Sequence, residues 1–338
     1  MAAVAETVKI LSPLLGEEKH WERVRQLSPR LSLSLVEGEA QFLENLPDAE
    51  VVVIWPRPFD LSLAPGLKWI QLISAGLDRF VGHPIMESDI IITTASGIHA
   101  TPIAEYVLAS MLAFSRRFRD MWRLQERREW PEDRWEILRG EELRGKTVGI
   151  LGYGSIGREA GRLCKALGMR VLATKRWAKE RKDRGYSMLG LGDPVGSVVD
   201  QIFNPSQLKE MLKECDFFVV AVPLTPETEG MVGREELKAM KGNTYLVNIS
   251  RGRVVDEEAL IEALKERWIG GAGLDVFAQE PLPQESELWG LDNVILSPHI
   301  SANTPHYQER FMELFCENLR RYLAGEELLN VVDKKRGY

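Results

Sequence analysis

Short apolar runs rich in β-branched residues recur along this chain, separated by segments long enough for amphipathic helices. Val51-Val52-Val53-Ile54-Trp55 shows the pattern best. It has no polar alternation, so it suits a strand buried on both faces. Comparable runs lie at 8–11, 31–36, 68–73 and 90–94. After a long interval they resume at 147–151, 170–174, 217–222, 244–248, 271–274 and 293–296. Strands that alternate with helices build parallel sheets covered on both faces. A chain of 338 residues holds two domains at about 150 residues each. The expected fold class is therefore α/β, with two doubly wound parallel-sheet domains.

Helices are expected at 100–119, 159–167, 256–265 and 305–323, and one starting at Asn204-Pro205-Ser206. Thr101-Pro102 supplies a cap and a first-turn proline for the first of these. The stretch 122–139, rich in Trp and Arg, reads as an irregular arm, and the glycine-rich stretch 185–197 as a loop.

The net charge of -7 and the absence of a long basic run argue against nucleic acid as a partner. No stretch of about 20 apolar residues offers a membrane span. The opening residues 1–15 contain Glu6 and Lys9 and lack the apolar core of a leader peptide. Three cysteines, Cys164, Cys215 and Cys316, lie far apart and show no metal-ligand spacing. So few thiols fit a reducing compartment, and a cytoplasmic protein without a metal is expected.

Gly152-Tyr153-Gly154-Ser155-Ile156-Gly157 follows a strand and opens a helix. In that context GxGxxG is a dinucleotide fingerprint. Gly152 would allow the tight turn, Gly154 the approach of the pyrophosphate, and Gly157 the packing of helix on strand. The amides of the helix N-terminus, through Ser155 and Ile156, would bind the diphosphate. An NAD enzyme usually places an acid for the ribose about 20 residues on. Here that position reads Thr174-Lys175-Arg176. Cations there would attract a 2′-phosphate, each charged hydrogen bond contributing about 1.5–3 kcal/mol, so NADP(H) is favoured over NAD(H).

Three further strings follow buried strands: Asn248-Ile249-Ser250-Arg251-Gly252, Asp275-Val276-Phe277-Ala278-Gln279-Glu280-Pro281 and Ser297-Pro298-His299-Ile300-Ser301. In open parallel sheets, ligands bind beyond the carboxyl ends of the strands. Arg251, Glu280 and His299 are thus expected to converge near the cofactor.

With the glycine loop, Val222-Pro223-Leu224-Thr225-Pro226-Glu227-Thr228 and Arg251-Gly252-Arg253-Val254-Val255-Asp256, these strings resemble the D-isomer-specific 2-hydroxyacid dehydrogenase family, glyoxylate/hydroxypyruvate reductase-like members in particular. The resemblance covers nearly the whole chain. It implies a Rossmann cofactor domain at 100–299 inserted in a flavodoxin-like substrate domain at 1–99 and 300–338. It implies His299 as general acid/base, Glu280 as the partner that favours its charged form, and Arg251 as the grip on the substrate carboxylate. Asp275 would lie on the nicotinamide side, Ile249 and Ser250 close to the cofactor, and Val222, Pro223 and Thr228 among its contacts. Ser74-Ala75-Gly76 would meet the substrate carboxylate through backbone amides. His99, near a second such loop, is set aside as non-catalytic. Relatives dimerise through the helix and arm that here hold Trp122, Trp130 and Trp135, so a homodimer is implied. The implied reaction is hydride transfer between NADP(H) or NAD(H) and a small 2-keto or 2-hydroxy acid of glyoxylate or hydroxypyruvate type. The same fold also serves corepressor-like NAD(H)-sensing proteins and phosphoglycerate or formate dehydrogenases, which stay as alternatives.

Overall fold

The structure, a computed structural model, describes residues 7–80, 82–183 and 185–337. The opening residues 1–6, part of the stretch read as lacking a leader, lie outside the described residues. The chain divides into two compact units, Met1–Ile98 with Thr304–Tyr338, and His99–Asn303.

The first unit begins with β1 (Val8–Pro13), α1 (Glu18–Arg25), β2 (Leu31–Val36), α2 (Gly38–Asn45), β3 (Val51–Ile54), β4 (Trp69–Leu72) and β5 (Ile91–Thr93). Its strands are all parallel, in the order β2-β1-β3-β4-β5. That is the flavodoxin-like order. β3 and β4 are buried throughout; β3 is wholly apolar, and the one polar residue of β4, Gln71, has its Oε1 satisfied by Thr93 Oγ1 at 2.8 Å.

The second unit runs through α3 (Ala100–Ser115), α4 (Phe118–Arg127), α5 (Arg134–Ile137), β6 (Thr147–Leu151), α6 (Ser155–Ala166), β7 (Arg170–Thr174), β8 (Gln201–Phe203), α7 (Leu208–Leu212), β9 (Phe217–Val220), α8 (Arg234–Ala239), β10 (Tyr245–Asn248), α9 (Glu257–Lys265), β11 (Gly271–Leu274) and β12 (Val294–Leu296). Its sheet is also wholly parallel, ordered β12-β11-β10-β9-β6-β7-β8. The order reverses at β6, which pairs with both β7 and β9. This switch point is where open α/β sheets bind ligands. The chain then returns to the first unit through α10 (Tyr307–Ala324). There Phe315 packs on Trp21 and Trp69, with ring centroids 6.4 and 5.7 Å away.

Both faces of the larger sheet are covered. Along β9, Phe218 and Val220 enter one apolar cluster with Leu246 and Leu260. Phe217 and Val219 enter another with Val107 and Met111. The two-residue period of a strand divides the side chains in this way. Each fully buried aliphatic or aromatic side chain contributes about 1.5–3 kcal/mol.

Several boundaries differ from those read in the sequence. The helix expected over 100–119 stops at Ser115, because Arg117 takes a left-handed backbone with φ of 60°. The expected irregular arm is partly helical: α4 runs into its start and α5 lies near its end. β8 and α8 were not anticipated; both are short and carry no clear periodicity. β9 ends at Val220 rather than 222, just ahead of Pro223, which has no N–H for a ladder. Ile300 to Asn303 stay with the second unit, and the return to the first comes at Thr304. The carboxylate of Asp275 accounts for this, since it accepts from the amides of Ile300 and Ser301 at 2.9 and 3.0 Å.

Candidate active site

β6 delivers the chain to the glycine loop at the switch point. Gly152 has φ of +100°, and a Cβ there would stand 2.8 Å from both the Ala221 carbonyl oxygen and Val222 Cγ1. Glycine alone lets this turn pass so close to the exit of β9. A Cβ on Gly157 would overlap the carbonyl oxygen of Gly152, so that glycine sets how tightly α6 approaches the loop. Gly154 differs: it is exposed, and its missing side chain opens onto unfilled space. It also caps α6 without a side-chain hydrogen bond to the first turn. An open glycine edge beside a helix N-terminus, at Ser155 and Ile156, fits a diphosphate.

Thr174, at the end of β7, is buried and braces this loop. Its Oγ1 accepts from the Gly152 amide at 3.2 Å, and its carbonyl accepts from the Tyr153 amide at 3.2 Å. The ammonium of Lys175 turns back on its own turn, donating to the carbonyls of Glu180 and Lys182 at 2.7 and 3.0 Å. Arg176 is exposed beside it, close enough to Glu227 to help hold that carboxyl below its ordinary range, after the larger contributions of Thr225 and of Glu227's own backbone. On the other side of the loop, Thr228 Oγ1 donates to the Pro223 carbonyl at 2.6 Å and accepts from the Thr225 amide at 2.8 Å. The β9 exit carrying Val222 and Pro223 is thus knitted into one piece.

The strands beside β9 carry the polar strings. After β10, Ile249 is buried and its amide reaches the Val220 carbonyl at 3.3 Å. The carboxamide of Asn248 then shapes the next turn. Its Oδ1 accepts from the Ser250 amide and hydroxyl at 3.1 and 3.0 Å, and its Nδ2 donates to the Arg251 carbonyl at 3.2 Å. The Arg251 guanidinium donates to the Ser250 carbonyl at 2.8 Å. A Cβ on Gly252 would overlap the Phe277 carbonyl. The turn bearing Arg251 therefore packs directly on the turn that leads to Glu280.

His299 Nδ1 stands 2.7 Å from Glu280 Oε2. The other oxygen of Glu280 accepts from the Phe277 amide at 3.1 Å, which fixes the carboxylate plane. His299 itself has φ of 53°, and its amide donates to the Asp275 carbonyl at 2.8 Å. A non-glycine residue in this region is strained by roughly 1–3 kcal/mol, so its surroundings must hold it. Asp275 provides the hold. Its carboxylate is fully buried and accepts from Ser297 Oγ at 2.6 Å as well as from the two amides beyond His299. Ser297 Oγ also meets the Tyr106 hydroxyl of α3 at 2.7 Å, and burial raises the pKa of that phenol.

Of the residues expected to converge, the structure pairs His299 with Glu280, and it packs the turn bearing Arg251 on the turn before Glu280. Asn248, Ser297 and Tyr106 were missed. Asn248 and Ser297 open the very strings that were singled out, so their position was the available signal. Tyr106 had none. In the first unit, Ser74 Oγ donates to the Gly76 carbonyl at 3.0 Å and Ala75 is exposed at the tip of the turn. His99 is buried at the start of α3. Among the described residues no acid, His or Cys group is placed to hold a metal ion, and no helix is long and apolar enough to cross a membrane.

Residues 108–301 match the model of the D-isomer specific 2-hydroxyacid dehydrogenase NAD binding domain. The chain belongs to that family. The dehydrogenase is 39% identical to a glyoxylate reductase of Thermococcus gammatolerans, over 80% of this chain and 78% of that one. It is 36% identical to a glyoxylate reductase of Pyrococcus furiosus over 94% and 90% of the two chains. Among solved structures, an NADPH-dependent glyoxylate/hydroxypyruvate reductase of Sinorhizobium meliloti, in complex with NADP and sulfate, superposes with a TM-score of 0.79 at 26% identity. That match covers 98% of this chain and 100% of the other. The dehydrogenase is an NAD(P)-dependent oxidoreductase with two parallel-sheet α/β units.

Proposed function

We propose that this dehydrogenase reduces a short 2-keto acid of the glyoxylate or hydroxypyruvate class, with NADPH preferred to NADH. The relatives named glyoxylate reductase and the NADP complex of the Sinorhizobium enzyme support the substrate class and the cofactor. The observation that carries the mechanism is the 2.7 Å approach of His299 Nδ1 to Glu280 Oε2. With Nδ1 held by a carboxylate, Nε2 is the nitrogen left to carry the mobile proton. The bound dinucleotide supplies the hydride. His299 Nε2 gives its proton to the carbonyl oxygen as negative charge builds there, and Arg251 stabilises the same charge while gripping the carboxylate with its planar fork. The backbone of Ser74, Ala75 and Gly76 is assigned to that carboxylate too. Ser155, Ile156 and the three loop glycines hold the diphosphate. Ile249, Ser250, Val222, Pro223 and Thr228 line the dinucleotide beyond it. Asp275 acts through His299, by fixing the loop that carries it. Lys175 and Arg176 are assigned to the ribose side, Arg176 by its charge and Lys175 by shaping the turn that follows it. A homodimer with the α4 arm at its interface fits Trp122, Trp130 and Trp135, which are 53%, 83% and 77% exposed in the single chain.

Absorbance of the reduced nicotinamide, followed with NADH and NADPH against glyoxylate, hydroxypyruvate, pyruvate and bulkier keto acids, tests the reading. His299→Ala should lower kcat by about 10²–10⁴-fold while dinucleotide affinity stays nearly unchanged. Turnover at the parent rate in that variant would remove His299 as proton donor.

A further inference from the structure

The segment between β7 and β8 is longer than a compact βα connection needs, and it does not hang loose. It is bonded to the glycine loop and to α6, which follows that loop. Arg158, in the first turns of α6, is 1% exposed. Its guanidinium donates to the Asp193 carbonyl and, at 2.6 Å, to the Arg181 carbonyl. It also pairs with Asp183 at 3.4 Å and lies 4.8 Å over the Tyr153 ring. Tyr153, inside the glycine loop, donates its hydroxyl to Asp193 Oδ2 at 2.8 Å. Glu159 accepts from the Gly192 amide at 2.6 Å. The Asp193 carboxylate gathers the far side of the segment, accepting from the Ser197 and Val198 amides at 2.7 and 3.0 Å. The turn just after β7, already tied down by Lys175, is basic, with Arg176, Lys179, Arg181 and Lys182 against Glu180 and Asp183, and the Arg181 guanidinium fastens it to the Gly196 carbonyl at 2.8 Å.

We infer that this segment is a cofactor-discriminating clamp, in which Arg158 and Asp193 are positioning residues that hold the basic turn after β7 where a ribose 2′-phosphate would lie. The inference rests on the dinucleotide reading above and extends it to residues far from the phosphate itself. Its physical basis is pre-organisation. Long cationic side chains on a loose loop must be ordered when the phosphate binds, which weakens binding; a loop already bonded to the scaffold escapes most of that cost. Buried Arg158 is a suitable post because one planar group reaches two carbonyls and a carboxylate at once.

Asp193→Asn and Arg158→Lys test the inference, with dissociation constants for NADPH and NADH measured by calorimetry and amide hydrogen exchange followed over 176–183 and 185–199. The expected result is faster exchange in both variants and an NADPH affinity about tenfold weaker, the loss of one charged hydrogen bond. NADH affinity should move less than about twofold, since no 2′-phosphate is there to be held. The KM for the keto acid should stay put. Equal weakening for both dinucleotides, or faster exchange with no change in the NADPH/NADH ratio, overturns the clamp. A parent protein that prefers NADH overturns it as well. Should Arg158→Lys fail to fold, the near-isosteric Asp193→Asn carries the measurement alone. A parent that binds NADPH tightly yet reduces no keto acid would sink the proposed reaction, while the affinity ratios would still judge the clamp.

Discussion

At the scale of single residues, the imidazole proposed as proton donor depends on a carboxylate that holds its backbone segment. Asp275 is buried, and its three accepted hydrogen bonds all come from the segment that begins at Ser297 and passes through His299. An amide side chain at 275 would set an NH2 against at least one of those N–H donors and so release the segment. Displacing a reacting group by about 1 Å can cost 10²-fold in rate. Asp275→Asn should therefore lower kcat at least about tenfold, a fraction of that limit, with dinucleotide affinity little changed. Steady-state kinetics paired with direct binding separates the two effects. A variant that loses dinucleotide affinity and keeps its kcat would show that the carboxylate serves the cofactor instead.

At the scale of elements, the glycine loop works because α6 approaches it without a side chain in between. Gly157 is the contact, and a methyl group there would run into the backbone of Gly152. The helix must then move outward, carrying its N-terminal amides away from the site proposed for the diphosphate. Gly157→Ala should lower stability by about 1–3 kcal/mol through overpacking and weaken dinucleotide binding at least about tenfold, since that binding uses those amides. Thermal melts with and without NADPH check both parts: the parent midpoint should rise with ligand and the variant midpoint should rise much less. An alanine variant that binds like the parent would place the diphosphate elsewhere. The break between α3 and α4 has the same local character. A left-handed Arg117 ends one helix and reorients the next, and no residue type in the sequence announces it.

For the molecule as a whole, acid is the condition to which the second unit should respond. Asp193 is buried, Asp216 half-buried and Asp200 exposed, and what burial each has raises its pKa by itself. Hydrogen bonds outweigh it: Tyr153 and two amides for Asp193, Lys165 and the Val171 amide for Asp200, the Thr147 amide and Lys241 for Asp216. All three are held below the ordinary carboxylate range. A carboxyl depressed on folding lends stability that is present above its unfolded pKa, about 3.9 for Asp, and is lost as pH falls through the folded value. The thermal midpoint should thus owe no loss to these groups between about pH 8 and 5, then fall below about pH 4. Asp216→Asn should flatten part of that fall. A decline already complete near pH 6 would assign acid sensitivity to other groups.

Local chemistry was enough to reveal the alternation of buried strands and helices, the glycine fingerprint and the three polar strings, because each depends on residue types at short spacing. Val51 to Ile54 suits a buried strand, and Gly152, Gly154 and Gly157 at that spacing, after a strand and before a helix, suit a dinucleotide turn. The limits of α3, the helix inside the arm, and the strand β8 were not legible, since they are set by one left-handed residue or by neighbours distant in the chain. The same holds for the site. His299, Glu280 and Arg251 stood out in the sequence, but Tyr106 meets Ser297, and Arg158 meets Asp193, only because the sheet brings far-separated segments together. Lys175 shows the reason most plainly: its charge was written in the sequence, while the two carbonyls that capture its ammonium exist only once the following turn has folded over it.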